Sequence, residues 1–439
     1  MSLTSFSFIG VYFPLLLIAY YNPVFKNNTF RNVILLLASL GLYTFTEPVY
    51  IFLLLVSILI NYLFVYLVKR TGRKIFEYIV IGIDVLILFF FKYLNKGTFP
   101  VGLSYFTFKE ISYVVDSVNS DKEYDLMDCA LYIANFITIT SGPLAFFNDE
   151  IKDIGERKND LRKGFERMIR GLCKKVVIAD SISPLVNICF VMNDRSLLMA
   201  WTGIICFALR LYFDFSGYSD IAIGVGHLFG YDLPENFDLP YCARSVSDFW
   251  KRWHMSLTRW FTRYLYIPLG GSRVSRYRHI FNLFAVWLCT GLWHGSGFNF
   301  IIWGMIFFVF QTLEKYTGIN TILDRYHLGH IYTLLIVLIS WVFFNTQSTG
   351  EALSYIRSMF VISDNGLIGT SDFMIIRNYM LPLLLGTVLS TRFALYLDKN
   401  IDSNRKMNSI YHIVLIMMFV VCLIVMLGRG YIAPMYAGF

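Results

Sequence analysis

Long apolar runs constrain the fold of this chain more than any other feature. Most contain 14 to 21 residues, close to the length that a helix needs to cross the hydrocarbon core of a bilayer. The apolar residues are continuous, whereas a membrane β-barrel requires alternation along each strand. The sequence therefore predicts an all-α polytopic membrane protein with about eleven membrane helices. The runs cover residues 7–21, 32–45, 48–68, 76–93, 176–192, 197–213, 280–293, 298–313, 330–344, 374–394 and 409–427.

Composition supports this class. Hydrophobic residues make up 56% of the 439 residues and charged residues only 15%, whereas an ordinary soluble domain has roughly 25% charged residues. A soluble enzyme, a disordered chain and a nucleic-acid-binding domain are poor interpretations of these values. The net charge of +8 fits basic loops that face an anionic inner leaflet, so no nucleic-acid partner is expected.

Basic residues between the first runs predict the orientation. Lys26 and Arg31 follow the first run, and a second basic group at 69–74 follows the third run. Because positive loops stay in the cytoplasm, these two loops are expected there and the N-terminus is expected in the periplasm. The first segment lacks a basic region and a cleavage site, so it is expected to remain as a helix.

The remaining segments fit a single membrane domain with amphipathic and re-entrant parts. Residues 148–175 carry nine basic side chains and predict an amphipathic helix along the membrane, and several shorter pieces predict re-entrant segments. No repeat and no linker divides the chain, which predicts a single membrane-embedded domain over residues 1–439. The seven cysteines form no CxxC pair and are interpreted as small hydrophobic residues.

His254 lies in a segment that is both aromatic and basic. Ser245 with Asp248 predicts a helix N-terminus. A face of indole and imidazole groups suits the edge of a polar membrane cavity. The alternative is an interfacial helix whose tryptophans lie at headgroup depth. Helical spacing from Ser245 predicts that this face consists of Trp250, Trp253, His254, Leu257 and Trp260 or Phe261.

His294 falls between two apolar runs, beside Gly291, Gly295 and Gly297. An ionisable side chain at membrane depth is costly and indicates function. The glycines allow a break or a close approach of backbones. A neutral imidazole here can act as a general base, and the alternative is a packed histidine with one hydrogen bond.

Two other interpretations of the histidines stay open. A metal site would need a third ligand beside His254 and His294, and none is evident, so no metal is expected. A transporter could use the histidines in a proton relay with Asp84, Asp214 or Asp220, although the inverted repeat common in transporters is not seen.

Residues 234–279 are rich in basic side chains, with Asp238 and Asp248 among them. Guanidinium groups bind phosphates well, so this stretch could hold a phosphate-bearing ligand. Fixing the membrane topology is the alternative role. The eight basic residues are Arg244, Lys251, Arg252, Arg259, Arg263, Arg273, Arg276 and Arg278.

Several segments resemble the membrane-bound O-acyltransferase (MBOAT) family, and most closely its bacterial branch of alginate and peptidoglycan O-acetylation proteins. The resemblance covers roughly residues 40–345, with a motif-bearing core at about 90–345. It is carried by residues 236–257, 264–271 and 292–295, with further agreement at 91–95, 100–113, 213–224 and 341–344.

The resemblance implies a ring of transmembrane helices around a thinned centre in the bacterial inner membrane. It implies the invariant family histidine at His294 and a second polar site at His254, joined by a re-entrant segment. His294 would then act as general base, and His254 would position the acyl donor or stabilise the oxyanion. The implied donor is cytoplasmic acetyl-CoA, with no bound cofactor. The implied partner is a periplasmic SGNH-type acetyltransferase.

The candidate residues for binding the donor or substrate surround the two histidines. They are Arg244, Trp250, Lys251, Arg252, Trp253, Arg259, Trp293 and Asn299.

The chain departs from the family pattern in two places. Residues 145–148 and Asn345 stand where relatives usually carry an arginine nearby. These departures leave three acceptors open. They are peptidoglycan, another exported polysaccharide such as alginate or cellulose, and teichoic acid with a D-alanyl donor.

Overall fold

The fold is known from a computed structural model that describes residues 2–24, 27–95, 97–155, 158–362, 364–430 and 432–435. The described residues are helical and contain no β-strand, which confirms the predicted all-α class. In chain order the helices are α1 Phe13–Tyr20, α2 Asn28–Thr46, α3 Ile51–Thr71, α4 Ile75–Phe89, α5 Leu103–Val118, α6 Leu126–Ala134, α7 Phe147–Gly155, α8 Leu161–Cys173, α9 Asp180–Val191, α10 Leu197–Phe229, α11 Val246–Arg252, α12 Met255–Phe261, α13 Arg276–His294, α14 Phe298–Tyr316, α15 Ile319–Arg325, α16 Gly329–Asn345, α17 Thr349–Phe360, α18 Asp372–Arg377, α19 Met380–Leu389, α20 Phe393–Ser403 and α21 Arg405–Arg429.

Local sequence explains several helix ends. The Asn27 side chain accepts a hydrogen bond from the Thr29 amide at the start of α2 (3.0 Å). Asp125 and Asp128 form a reciprocal capping box at the start of α6. Gly72 ends α3 in the left-handed region, at φ 68°, where a residue without Cβ is favoured.

The predicted number of membrane helices is not confirmed. Four helices in the described part of the chain are long and apolar enough to cross a membrane: α2, α3, α10 and α21. A fifth span is possible if α19 and α20, bent by 77°, count as one. Some predicted runs yield shorter α-helices because the backbone winds into wider π-helical turns at Phe8–Tyr12 and Phe90–Leu94.

The predicted amphipathic stretch at 148–175 forms two helices, α7 and α8. In α8, Met168 and Ile169 are buried while Arg162 and Lys163 are exposed, which is the pattern expected of an amphipathic helix.

Cα packing divides the chain into two compact units. Unit 1 consists of Met1–Leu172, Tyr218–Glu235 and Leu423–Phe439, and unit 2 consists of Cys173–Gly217 and Asn236–Cys422. In unit 1, α5 has 14 of its 16 residues buried, so it packs as a central helix. Unit 2 contains both candidate histidines. The single domain over residues 1–439 stays a prediction.

Candidate active site

The segment around His254 is not the continuous helix that its spacing predicts. Helix α11 ends at Arg252 and α12 begins at Met255, with His254 between them at φ 45° and ψ 52°. This left-handed conformation costs a residue other than glycine about 1–3 kcal/mol. The predicted single face is therefore wrong, because the chain turns at the residue that carries the imidazole.

Asn236 holds this turn in place. Its backbone carbonyl accepts a hydrogen bond from the Met255 amide (3.0 Å). Its side-chain oxygen accepts from the Ser256 amide (3.2 Å) and the Ser256 hydroxyl (2.9 Å), and it lies 3.0 Å from His254 Nδ1. Asn236 and His254 are each 1% exposed, so these bonds form away from water. They offset the strain of the left-handed residue.

The same contacts define the tautomer of His254. A backbone N–H can only donate, so the atom of Asn236 that accepts from Ser256 is the amide oxygen. His254 Nδ1 must therefore donate to it, which leaves the lone pair on Nε2. Nε2 is buried and has no hydrogen-bond partner in the described structure. Burial lowers the pKa of His254 to about 3, so the ring stays neutral and Nε2 is a hydrogen-bond acceptor at physiological pH.

The start of α11 is fixed by two side chains. Ser245 Oγ accepts from the Asp248 amide (3.0 Å), which confirms the predicted cap. The buried Glu314 carboxylate accepts from the Val246 amide (2.6 Å) and the Ser247 amide (2.9 Å). Three amides of the first turn are thus satisfied, and a negative charge lies at the positive end of the helix.

His294 is the last residue of α13 and is 4% exposed. Close packing of α13 against α14 places it. A Cβ atom on Gly291 would come within 2.7 Å of the Phe300 carbonyl oxygen, and one on Gly304 within 2.6 Å of the Trp287 carbonyl oxygen. The predicted close approach of backbones at Gly291 is confirmed, since any larger residue would separate the two helices.

A chain of aromatic contacts joins the two histidines. Trp253, adjacent to His254, packs against Trp341 at 5.1 Å between ring centroids. Trp341 in turn contacts Trp303 at 6.1 Å. Trp303 lies 4.7 Å from the His294 ring. The histidines therefore border one apolar aromatic cluster, in which the low dielectric strengthens polar interactions.

A cavity of about 160 Å³ lies between α11, α12, α13 and α14, and its lining includes neither His254 nor His294. Trp250, one turn before His254, and Thr290, one turn before His294, both line it, together with Trp287 and Gln311. Trp250 Nε1 is buried without a hydrogen-bond partner in the described structure. This indole N–H is a donor that the described residues leave without an acceptor.

Comparison with known proteins identifies the family. The model of the MBOAT, membrane-bound O-acyltransferase family matches residues 85–346, more than half of the chain. The chain belongs to the MBOAT family. As an MBOAT protein it is a multi-pass membrane enzyme that transfers acyl groups to oxygen.

Three relatives of this MBOAT protein are named for O-acetylation or D-alanyl transfer. It is 33% identical over 387 residues to a Pseudomonas aeruginosa protein named "Probable alginate O-acetylase AlgI", covering 80% of this chain and 74% of the relative. It is 30% identical over 414 residues to the peptidoglycan O-acetyltransferase of Helicobacter pylori, covering 80% and 78%. Its identity to the teichoic acid D-alanyltransferase of Bacillus subtilis is 28% over 235 residues, covering 49% and 59%.

The candidate binding residues of this MBOAT site fall into two groups. Arg244, Lys251 and Arg259 are exposed, so they are accessible to a charged ligand. Arg252 instead pairs with Asp238 (3.0 Å) and with Asp248 (2.9 Å) and is occupied within the protein.

The remaining candidates are buried. Trp250 lines the cavity, Trp253 belongs to the aromatic cluster, and Trp293 packs 4.6 Å from the His294 ring. Asn299 donates to the carbonyls of Phe343 (2.9 Å) and Thr346 (2.8 Å) and so ties α14 to the end of α16. Asn299 therefore has a structural contact rather than a free amide N–H.

Asn236 and Glu314 are functional candidates that the sequence interpretation did not assign. Asn236 begins the segment that resembles the family, so its position was marked but its contact with His254 was not. Glu314 lies 60 residues after His254, and only the fold brings its carboxylate to α11. The charge of Glu314 near the end of an apolar run was the available signal.

Proposed function

We propose that this MBOAT protein transfers acetyl from acetyl-CoA to an acceptor hydroxyl in O-acetylation of a cell-envelope polysaccharide such as peptidoglycan or alginate. Two relatives named for O-acetylation each match 80% of the chain at 30% identity or more. The D-alanyltransferase matches only 49% of the chain at lower identity, which makes D-alanyl transfer the weaker proposal.

The observation that carries this proposal is the pair of buried imidazoles on one aromatic cluster. In the proposed reaction the acceptor oxygen attacks the thioester carbonyl carbon, and the carbon–sulfur bond breaks. His294 takes the proton of the hydroxyl as general base and passes it to the leaving thiolate. Burial among indole rings excludes water, which would otherwise hydrolyse the thioester.

His254 has a separate role in this proposal. Its Nε2 lone pair can accept a hydrogen bond from an amide N–H group of the donor, so it positions the donor. The neutral ring has no proton on Nε2 to give to an oxyanion, so the positioning role fits the tautomer and the oxyanion role does not. The Trp250 indole N–H, which is buried without a hydrogen-bond partner in the described structure, is the better donor for a developing negative oxygen.

The exposed basic side chains would hold the phosphates of acetyl-CoA near a cytoplasmic entrance. Arg244, Lys251 and Arg259 have exposed side chains that would make these contacts. Arg252 is paired with two aspartates. Acyl transfer from one side to an acceptor on the other avoids moving a charged donor through lipid.

The proposed location is the inner membrane, with the N-terminus in the periplasm and about eleven embedded helices, several of them short. The basic group at residues 69–74 supports this orientation. A periplasmic SGNH-type acetyltransferase is the proposed partner that receives the acetyl group or passes it to the polysaccharide.

The test is reconstitution of the purified protein in vesicles with [acetyl-14C]acetyl-CoA and an acceptor or the partner. We expect acetyl transfer, reduced roughly 10²- to 10⁴-fold in His294→Ala. His330→Ala is the matched control and should retain activity, because this histidine makes one peripheral contact with the Ala243 carbonyl. Full activity of His294→Ala would overturn the assignment. D-alanyl transfer without acetyl transfer, or flux of intact donor without transfer, would support the alternatives.

A further inference from the structure

Unit 1 contains four buried polar side chains that the proposed acyl transfer does not use. Asn61 Nδ2 donates to Asp84 Oδ1 (3.1 Å), and the Ser57 hydroxyl donates to Glu110 Oε1. These side chains come from α3, α4 and α5 and are between 0% and 4% exposed. Two carboxyl groups therefore lie where an unneutralised negative charge is costly.

Neither carboxyl has a basic partner. Among the described residues, no ion pair involves Asp84 or Glu110. Glu150 of the same unit is a useful contrast, since this equally buried acid pairs with Lys109 (3.3 Å). Asp84 and Glu110 must be neutralised in another way, by a proton or by a bound cation.

Two oxygen atoms at this position need a hydrogen-bond donor. Asn61 uses both of its amide hydrogens, one on the Ser57 carbonyl (3.1 Å) and one on Asp84 Oδ1. Asn61 Oδ1 and Asp84 Oδ2 have no hydrogen-bond partner in the described structure. A single hydrogen on Asp84 Oδ2 can satisfy both, because a carboxylic acid and an amide pair through two parallel hydrogen bonds.

We propose that Ser57, Asn61, Asp84 and Glu110 form a proton-binding site in unit 1, in which Asp84 holds the proton and donates it to Asn61. A metal ion fits less well, because Ser57 directs its hydroxyl hydrogen toward Glu110. The described residues also contain no group of three or more His, Cys, Asp or Glu side chains able to hold a metal. This site does not depend on the proposed acyl transfer.

The surroundings favour retention of the proton. Two titratable groups that interact electrostatically with the two carboxyls become negative when they lose a proton. They are Tyr43 of α2, which interacts with Glu110, and Cys129 of α6, which interacts with both carboxyls and has Tyr113 and Asp128 beside it. On α3 and α4 the charged residues are Lys69 and Arg70 in the last turn of α3 and Glu77 two turns before Asp84.

The decisive experiment compares Asp84→Asn with Asp84→Ala in the purified full-length protein, by thermal unfolding across a range of pH. In Asp84→Asn an amide N–H replaces the acid O–H, so both hydrogen bonds to Asn61 can form. We expect Asp84→Asn to have a Tm at least equal to that of the wild type, and Asp84→Ala to have a lower one.

The pH dependence follows from the bound proton. The native state holds a proton that the unfolded chain releases above the ordinary carboxyl pKa of about 4, so this contribution to the wild-type Tm should fall as pH rises from about 4 until the native state also releases the proton. Asp84→Asn should lose this part of the fall. A Tm of Asp84→Asn as low as that of Asp84→Ala would overturn the proposal. Stabilisation of the wild type, but not of Asp84→Asn, by NaCl relative to choline chloride would also overturn it in favour of a metal-cation site.

Infrared spectroscopy provides a readout that does not depend on folding stability. The wild type at neutral pH should show the carbonyl stretch of protonated carboxyl groups, and Asp84→Asn should lose the part of this band that comes from Asp84. Glu123→Gln is the matched control, because this exposed carboxylate should contribute no such band. An unchanged band in Asp84→Asn would contradict protonation of Asp84.

Discussion

The two histidines of unit 2 lie in contrasting backbones. His254 lies in a left-handed turn between two helices of seven residues each, held by hydrogen bonds to Asn236. His294 ends a regular helix of 19 residues and is placed by ring packing and by glycines at the α13–α14 contact. The position of His254 depends on hydrogen bonds to a few polar atoms, whereas the position of His294 depends on how closely the rings and helices around it pack. The two halves of the site should therefore fail under different changes.

The largest expected effect is the loss of stability in acid, which should come mainly from His254. Burial lowers its pKa to about 3 from the 6.5 of the unfolded chain. The unfolded state therefore binds one more proton between these values, and the free energy of unfolding should fall as pH drops from 6.5 toward 3. The total loss is about 3–5 kcal/mol. Chemical denaturation from pH 7 to pH 4 measures it, and His254→Asn should lose this contribution. An equal acid loss in the variant would contradict the burial of a neutral ring.

Asn236→Ala should have the next largest effect, and it also acts on the hydrogen-bonded turn at His254. It leaves His254 Nδ1 and both Ser256 donors without their acceptor, at a cost of about 2–3 kcal/mol. Acetyl transfer should fall at least about tenfold, because the tautomer is no longer fixed.

Asn236→Asp is the control for this loss. It keeps an acceptor, but its negative charge should raise the pKa of His254 and make activity sensitive to mild acid. Wild-type kinetics in Asn236→Ala would refute a positioning role for Asn236.

Gly291→Ala tests whether close packing of α13 against α14 places His294. The new Cβ would meet the Phe300 carbonyl at 2.7 Å, so the α13–α14 contact should open and stability should fall by about 1–2 kcal/mol. The effect should be independent of pH. Gly82→Ala, a helical glycine with nothing within 4 Å of a Cβ, should be neutral or stabilising. Equal Tm shifts in the two variants would show that close packing does not place His294.

The smallest effects are expected at the exposed basic side chains of the site, such as Lys251 and Arg259. Lys251→Ala and Arg259→Ala should raise the KM for acetyl-CoA by a few-fold, since exposed charge contacts contribute about 1 kcal/mol or less. Arg252→Ala should lower stability instead, because its partners are Asp238 and Asp248. Steady-state kinetics at low salt separate these outcomes. A KM effect confined to Arg252 would reverse the assignment of the phosphate-binding side chains.

Part of this contrast could be predicted from the sequence. The end of an apolar run places His294 at a helix terminus, and its glycines predict close backbones. Ser245 and Asp248 predict the start of α11. The break at His254 could not be predicted, because helical spacing favours continuity and the opposing contacts come from Asn236, 18 residues away. The same limit applies to Glu314, whose role depends on a fold-level contact.

The number of membrane spans is not confirmed for a related reason. Apolar composition reports burial in lipid or in protein but does not report helix length. Residues 76–93 form one apolar run, yet α4 ends at Phe89 and the backbone continues as a π-helix. Runs interrupted in this way yield helices too short to count as spans by length.

The most direct test of the site is the protonation state of His254 itself. Imidazole-15N NMR of the full-length protein, with the signal assigned by comparison with His254→Asn, reports which ring nitrogen carries hydrogen. We expect a neutral ring, protonated at Nδ1, with shifts that do not change between about pH 5 and 8. A ring protonated at Nε2, or one that titrates near its ordinary pKa, would contradict the hydrogen-bonded turn as the basis of the site.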